Sequence, residues 1–173
     1  VPLCEQLLRD VLPENGLDGG LYRLCNVSTA GGGYDRFPEI AASRLGGQPQ
    51  DYQTHFVVQL QGCPLRCWYC YVTPDGVNGQ PMKISTRELV AAYRRSGAQV
   101  FHLMGGAPAL YIEDWPELLD ELCQDMVFHS DLLLVEGLYH PETLRLIAQH
   151  PKVILAVSVK GVTTEDWRAN TGV

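Results

Sequence analysis

The sequence of 173 residues predicts an α/β fold: a parallel, partial (β/α) barrel of the TIM type, with four βα units and a loop-rich N-terminal extension. Three observations predict it. From residue 54 onward, apolar segments alternate with amphipathic ones in the order strand then helix, which is the pattern of a parallel sheet with helical crossovers. The apolar segments are short, as strands covered on both faces should be. Each also ends in a glycine-bearing group: "QGCPLRC", "MGGAP", "VEG" and "SVKG". That third observation favours a barrel over a doubly wound sheet, because barrel enzymes assemble one active site from the C-terminal ends of several strands.

The elements follow in order. Residues 1–50 are expected to form the extension and residues 51–173 the barrel portion. A helix is expected from about Leu3 to Leu12, with Leu3, Leu7, Leu8 and Val11 on one face. Turn-rich sequence follows, with a second short helix around Pro38 to Leu45. The glycines at 31–33 have no following helix at phosphate-loop spacing, so they read as a loop. The first barrel strand is "THFVVQLQG", residues 54–62. "STRELVAAYRRSG" is a helix in which Ser85 and Glu88 form a capping box and Leu89, Ala92 and Tyr93 share a face. "QVFHLMGG" is the second strand, and "EDWPELLDELCQD" a helix with Trp115, Leu118, Leu119 and Leu122 at helical spacing. "SDLLLVEG", starting at Ser130, is the third strand; "HPETLRLIAQH" is a helix with Pro141 in its first turn. "KVILAVSVKG" is the fourth strand, and "TTEDWRANTG" a helix capped by Thr163 and Asp166 and stopped by Gly172.

Composition narrows the function. Hydrophobic residues make up 46% and charged residues 19%, a globular balance that argues against long disorder. The net charge of −7, with no basic stripe, offers nucleic acid no landing site. No apolar run spans a bilayer, and acids interrupt the N-terminal segment too early for a signal peptide. A cytoplasmic protein is the expectation, and there clustered cysteines are ligands or catalysts more often than disulfides.

Three of the six cysteines, Cys63, Cys67 and Cys70, lie in the spacing C-x3-C-x2-C directly after a strand end. Three thiolates on one tight loop can converge on one metal centre. Zinc normally takes a fourth protein ligand, from a second cysteine pair or a histidine pair, and neither is visible. Three ligands on one loop suit a four-iron cluster with one iron left open. Cys4, Cys25 and Cys123 lack ligand spacing and read as core thiols. His102 reads as a satisfied core histidine. His129, His140 and His150 read as capping or exposed residues near helix ends. Arg66 reads as solvent-facing, and Trp68 as either a shield for the centre or a packing residue.

The loop "GCPLRCWYC" resembles the cluster loop of the radical S-adenosylmethionine (SAM) superfamily, including the aromatic Tyr69 before the last cysteine. "GGAP", Gly105 to Pro108, is similar to that superfamily's "GGEP"-like motif at the second strand end. "SVKG" followed by "TTEDWRANTG" is similar to the "DxKG…TG" region of activating enzymes that install glycyl radicals in partner enzymes. The resemblance covers residues 54–173 and implies a [4Fe–4S] cluster held by Cys63, Cys67 and Cys70, with SAM chelating the fourth iron. It further implies one-electron cleavage of SAM to methionine and a 5′-deoxyadenosyl radical, which abstracts hydrogen from a substrate. Cofactor contacts are implied for Tyr69 near adenine and for Gly105, Gly106, Ala107 and Pro108 near the methionine end. Glu136, Ser158 and Lys160 are implied near ribose or carboxylate. An electron donor such as flavodoxin or ferredoxin is implied as a partner, with a protein substrate if the activating-enzyme likeness holds.

The sequence departs from the pattern in places. Ala107 stands where the family usually has an acid, and Ser158 where "DxK" has aspartate. Four strands are visible where family barrels usually have six, so the chain is expected to be a fragment of a longer barrel or a barrel closed by something else. The leading expectation is an oxidoreductase of the radical SAM type, nearest the activating-enzyme-like branch. The alternatives are a small-molecule- or peptide-modifying radical SAM enzyme, and a non-enzymatic domain that keeps the cluster fold.

Overall fold

A mixed six-stranded sheet organises the chain, in the order β3-β1-β2-β4-β5-β6. The strands are β1 (Leu21–Thr29), β2 (Thr54–Leu60), β3 (Met82–Lys83), β4 (Val100–Met104), β5 (Val127–Leu132) and β6 (Val153–Val157). The computed structural model describes residues 21–29, 36–60, 62–70, 82–83, 85–132 and 140–173. The helix expected over Leu3–Leu12, with Cys4, the triple glycine and Glu136 lie outside these residues.

Strands β2, β4, β5 and β6 run parallel, each pairing with the next. They are the four barrel strands read from the sequence. Two points differ from that reading. The extension contributes a nine-residue strand, β1, paired antiparallel along the whole of β2 and also to β3. Its sequence is flanked by glycine-rich segments, and pairing with a distant strand makes it regular. In addition, β5 begins at Val127, not Ser130, so His129 lies inside a strand and not at a helix end.

The helices are α1 (Phe37–Leu45), α2 (Thr86–Ser96), α3 (Trp115–Leu122), α4 (Pro141–Gln149) and α5 (Thr164–Thr171). Local signals set their ends. Ser85 and Glu88 exchange side-chain and backbone hydrogen bonds at the start of α2, and Thr163 and Asp166 do the same for α5. Gly97 and Gly172 close the same two helices in the left-handed conformation.

Helices α2, α3 and α4 cover one face of the sheet. Leu89 and Tyr93, Trp115, Leu118 and Leu122, and Ile147 pack there on Phe56, Val58, Leu60, Phe101, Leu103 and Phe128. Period-two alternation turns the intervening residues to the opposite face. There Val100 and Val127 pack with Phe37 and Ala41 of α1 and with Tyr52. On that second face, α1 covers the N-terminal ends of the strands. The C-terminal ends carry the cysteine loop and "GGAP".

Candidate metal centre at the strand tips

The cysteine loop leaves β2 after Leu60 and is pinned at two points. At the first, the Ala107 N–H donates to the Gly62 carbonyl at 2.8 Å, joining the loop to the tip of β4. Gly106, at φ +58°, makes that approach possible. A Cβ there would lie 2.5 Å from the Gly62 carbonyl oxygen and 2.7 Å from that of Leu60. At the second, the Arg66 N–H donates to the Thr171 carbonyl at 2.7 Å, tying the loop to the end of α5. Gly172 keeps this contact close, since a Cβ there would lie 3.1 Å from the Arg66 carbonyl oxygen. Within the loop, the Cys70 N–H donates to the Cys67 carbonyl at 3.0 Å, a turn that brings the last two cysteines together.

All three cysteines carry unpaired thiols. Cys63 and Cys67 are half-buried and Cys70 is exposed. Burial pushes the Cys63 thiol above its ordinary pKa, and the neighbouring Cys67 and Cys70 push it the same way. The Leu65 N–H and the Lys160 ammonium oppose that rise. Three neighbouring thiols with a nearby cation are a soft donor set, the kind that suits a thiophilic metal centre. The donors therefore fit an iron–sulfur cluster held from one loop.

The other predicted residues fall into two groups. Tyr69 is brought to Lys160, whose Nζ lies 5.4 Å from the ring centroid. Trp68 is 77% exposed and lies edge-on to Tyr69, at 5.3 Å between ring centroids. Its indole N–H points at Asn170 Oδ1 at 3.4 Å. Asn170 Nδ2 in turn donates to the Lys160 carbonyl at 2.8 Å, so the loop and the end of β6 share one bridging side chain. Gly105 and Gly106 are half-buried at the tip of β4, whereas Ala107 and Pro108 are buried, with Ala107 in the core beneath the tip. Ser158 is exposed beyond the end of β6. Arg66 is exposed, as expected.

The family model of the Radical SAM superfamily matches residues 57–172, from within β2 to the cap of α5. The chain belongs to the radical SAM superfamily. No curated protein matches it. Superfamily members are enzymes that generally bind a [4Fe–4S] cluster and SAM and cleave SAM by a radical mechanism. The matched span contains the C-terminal part of β2, all of β4, β5 and β6, and every described residue of the candidate centre. Among the described residues, no helix is long and apolar enough to cross a membrane.

Sequence reasoning misjudged two features of this radical SAM chain. Cys123 is exposed and not in the core: it caps α3 at φ 67°, where Arg94 Nη2 donates to its sulfur at 3.5 Å. His102 and His129 are both buried on the second face of the sheet, and His102 is not satisfied. Its Nδ1 lies 3.1 Å from Nδ1 of the buried His55, but its Nε2 has no hydrogen-bond partner. Burial, reinforced by His129 and His55, holds the His102 imidazole at a pKa of about 2. The signal for this cluster was present in the sequence. "VFH" occurs at 100–102 and again at 127–129, and the sheet register pairs the two copies residue for residue.

Proposed function

We propose that this chain is a radical SAM enzyme in which Cys63, Cys67 and Cys70 hold a [4Fe–4S] cluster used to abstract hydrogen from a substrate. The observation that carries the reading is the single loop of three unpaired thiols, pinned to the tip of β4 at one end and to α5 at the other. When bound and reduced, such a cluster supplies the single electron that breaks the sulfonium bond of SAM.

The chain's own residues then have defined tasks. The pins at Gly62 and Arg66 fix the loop, so the three sulfurs present a set geometry without an ordering cost at each loading. Lys160 stands near Cys63 and over Tyr69, where it offsets the negative charge that three thiolates bring to a half-buried site. Tyr69 offers an aromatic face beside the loop for the adenine ring. Gly105 and Gly106, half-buried at the tip of β4, are the proposed backbone contacts for the amino-acid end of SAM. Ser158 and Lys160, with Glu136, are the proposed polar contacts on the following strands. The electron comes from a small carrier of the flavodoxin or ferredoxin kind. A glycine of a partner protein as the hydrogen donor rests only on the likeness of "SVKG", residues 158–161, and the following "TTEDWRANTG" to the activating enzymes.

The test is anaerobic reconstitution with iron and sulfide. The wild-type chain should turn brown and hold about four irons. Cys67→Ala should lose the colour and the iron. An unchanged spectrum in that variant would remove the loop from the metal centre.

A further inference from the structure

On the second face of the sheet three histidines from three parallel strands meet: His55 of β2, His102 of β4 and His129 of β5. The rings of His102 and His129 lie 4.2 Å apart between centroids, and those of His55 and His102 lie 5.1 Å apart. Asp131, two residues beyond His129 and therefore on the same face, brings Oδ2 to 3.9 Å from His102 Nε2.

Hydrogen bonding assigns the tautomers. His55 Nε2 lies 3.1 Å from the Tyr52 carbonyl oxygen, which can only accept, so this nitrogen carries the proton. His55 Nδ1 is then a lone pair, and His102 Nδ1, 3.1 Å away, must be the donor between them. That leaves a bare lone pair on His102 Nε2, in a residue only 8% exposed, with no hydrogen-bond partner. His129 Nδ1 lies 3.0 Å from the Ile154 carbonyl oxygen and is protonated by the same argument, so its lone pair is also on Nε2. His102 and His129 thus each direct Nδ1–H at a fixed acceptor and carry the lone pair on Nε2. Metal-binding histidines are oriented in this way.

We propose that His102, His129 and Asp131 form a second metal site, for a divalent cation of borderline softness such as Zn²⁺. One donor atom from each of the three lies within 4.8 Å of the other two. Two imidazoles and one carboxylate make a three-ligand set that leaves coordination positions open for water or a substrate oxygen. The buried lone pair of His102 faces the Asp131 carboxylate, and two acceptors so placed repel each other. A cation between them resolves that opposition. Coordination bonds of about 2.0–2.2 Å require the donors to draw together, and the Asp131 side chain has room to swing. It is 45% exposed while the histidines are buried, so the open positions lie on its side, toward the C-terminal ends of the strands. A wall of Phe37, whose ring is 4.3 Å from that of His129, closes the other side. The ligand class for the open positions is a small molecule with an anionic or carbonyl oxygen.

The test uses the full chain with its cluster already loaded, so that the cysteine loop cannot compete for metal. The protein is dialysed against buffered Zn²⁺, zinc and iron are counted, and the zinc environment is read by X-ray absorption. Wild type should hold about one zinc per chain beyond the cluster iron, with imidazole nitrogen and oxygen neighbours and no sulfur. Asp131→Asn, at a half-exposed position, should weaken zinc binding by roughly tenfold or more, and His129→Gln should abolish it, with cluster iron unchanged in both. Absence of zinc in wild type, sulfur in the zinc shell, or undiminished binding in Asp131→Asn would each overturn the proposal. The wild-type spectrum decides the matter even if a variant misfolds. Because zinc and iron are counted separately, failure here is distinct from failure of the cluster assignment.

Discussion

Replacing Gly106 by alanine tests how the cysteine loop is held. At φ +58°, the new methyl would sit 2.5 Å and 2.7 Å from two backbone carbonyl oxygens, those of Gly62 and Leu60. Gly97 supplies the control, because it has a similar φ of +69° and a methyl there would meet nothing within 4 Å. Gly97→Ala should therefore cost only the left-handed conformation, about 1–2 kcal/mol. Gly106→Ala carries that cost plus a collision with backbone that cannot rotate away, a further ~1–3 kcal/mol. At about 2–4 °C per kcal/mol for a chain of this size, the two variants should melt several degrees apart. Urea unfolding of the metal-free chain under reducing conditions measures the difference. Iron content after reconstitution supplies a second readout: Gly106→Ala should load less cluster, and Gly97→Ala should load as wild type. If the two substitutions cost the same within about 0.5 kcal/mol and both load fully, the loop is not seated on the tip of β4 and the reasoning fails.

Two further outcomes follow from local chemistry. Ser85→Ala removes the cap of α2 and should cost about 1 kcal/mol. The Ser85 N–H and then its hydroxyl hold Glu88 below its ordinary value of 4.5, so that part of the capping box is present above this pH and is lost on acidification through the folded value. The gap between Ser85→Ala and wild type should therefore narrow in acid, as followed by thermal melts. Burial pushes Tyr93 and Tyr111 up to about 12 from 10.0. Between those values the unfolded chain releases phenol protons that the folded chain retains, so stability should fall as pH rises from 10 to 12. Absorbance near 295 nm should show these two phenols ionising only as the chain unfolds, and early ionisation would refute their burial.

The parts of the fold that were legible in the sequence are those fixed by near neighbours. Ser85 with Glu88 and Thr163 with Asp166 mark helix starts within four residues of chain, and Trp115, Leu118, Leu119 and Leu122 repeat at helical spacing; all four are buried as expected. The cysteine loop was legible for the same reason, since its three donors lie within one turn-rich segment. Strand β1 was not, because its regularity comes from pairing with β2 some thirty residues away. The start of β5 was lost for a related reason. "MVFH" looks like a loop beside the apolar "DLLLV", and only the register Val100↔Val127 shows that the strand begins there. That slip hid the histidine cluster, whose members are far apart in sequence and adjacent only across the sheet. The exposure of Cys123 was equally illegible, since it follows from a positive φ at the end of α3 that no neighbouring residue announces.

The proposed cluster loop of Cys63, Cys67 and Cys70 should support reductive cleavage of SAM. The direct measurement is 5′-deoxyadenosine released by the cluster-loaded chain, reduced with dithionite and given SAM under anaerobic conditions. Wild type should release 5′-deoxyadenosine and methionine in equal amounts, and Cys67→Ala should release none. A wild-type chain that carries a full cluster and releases no 5′-deoxyadenosine, or a Cys67→Ala chain that still releases it, would contradict the claim.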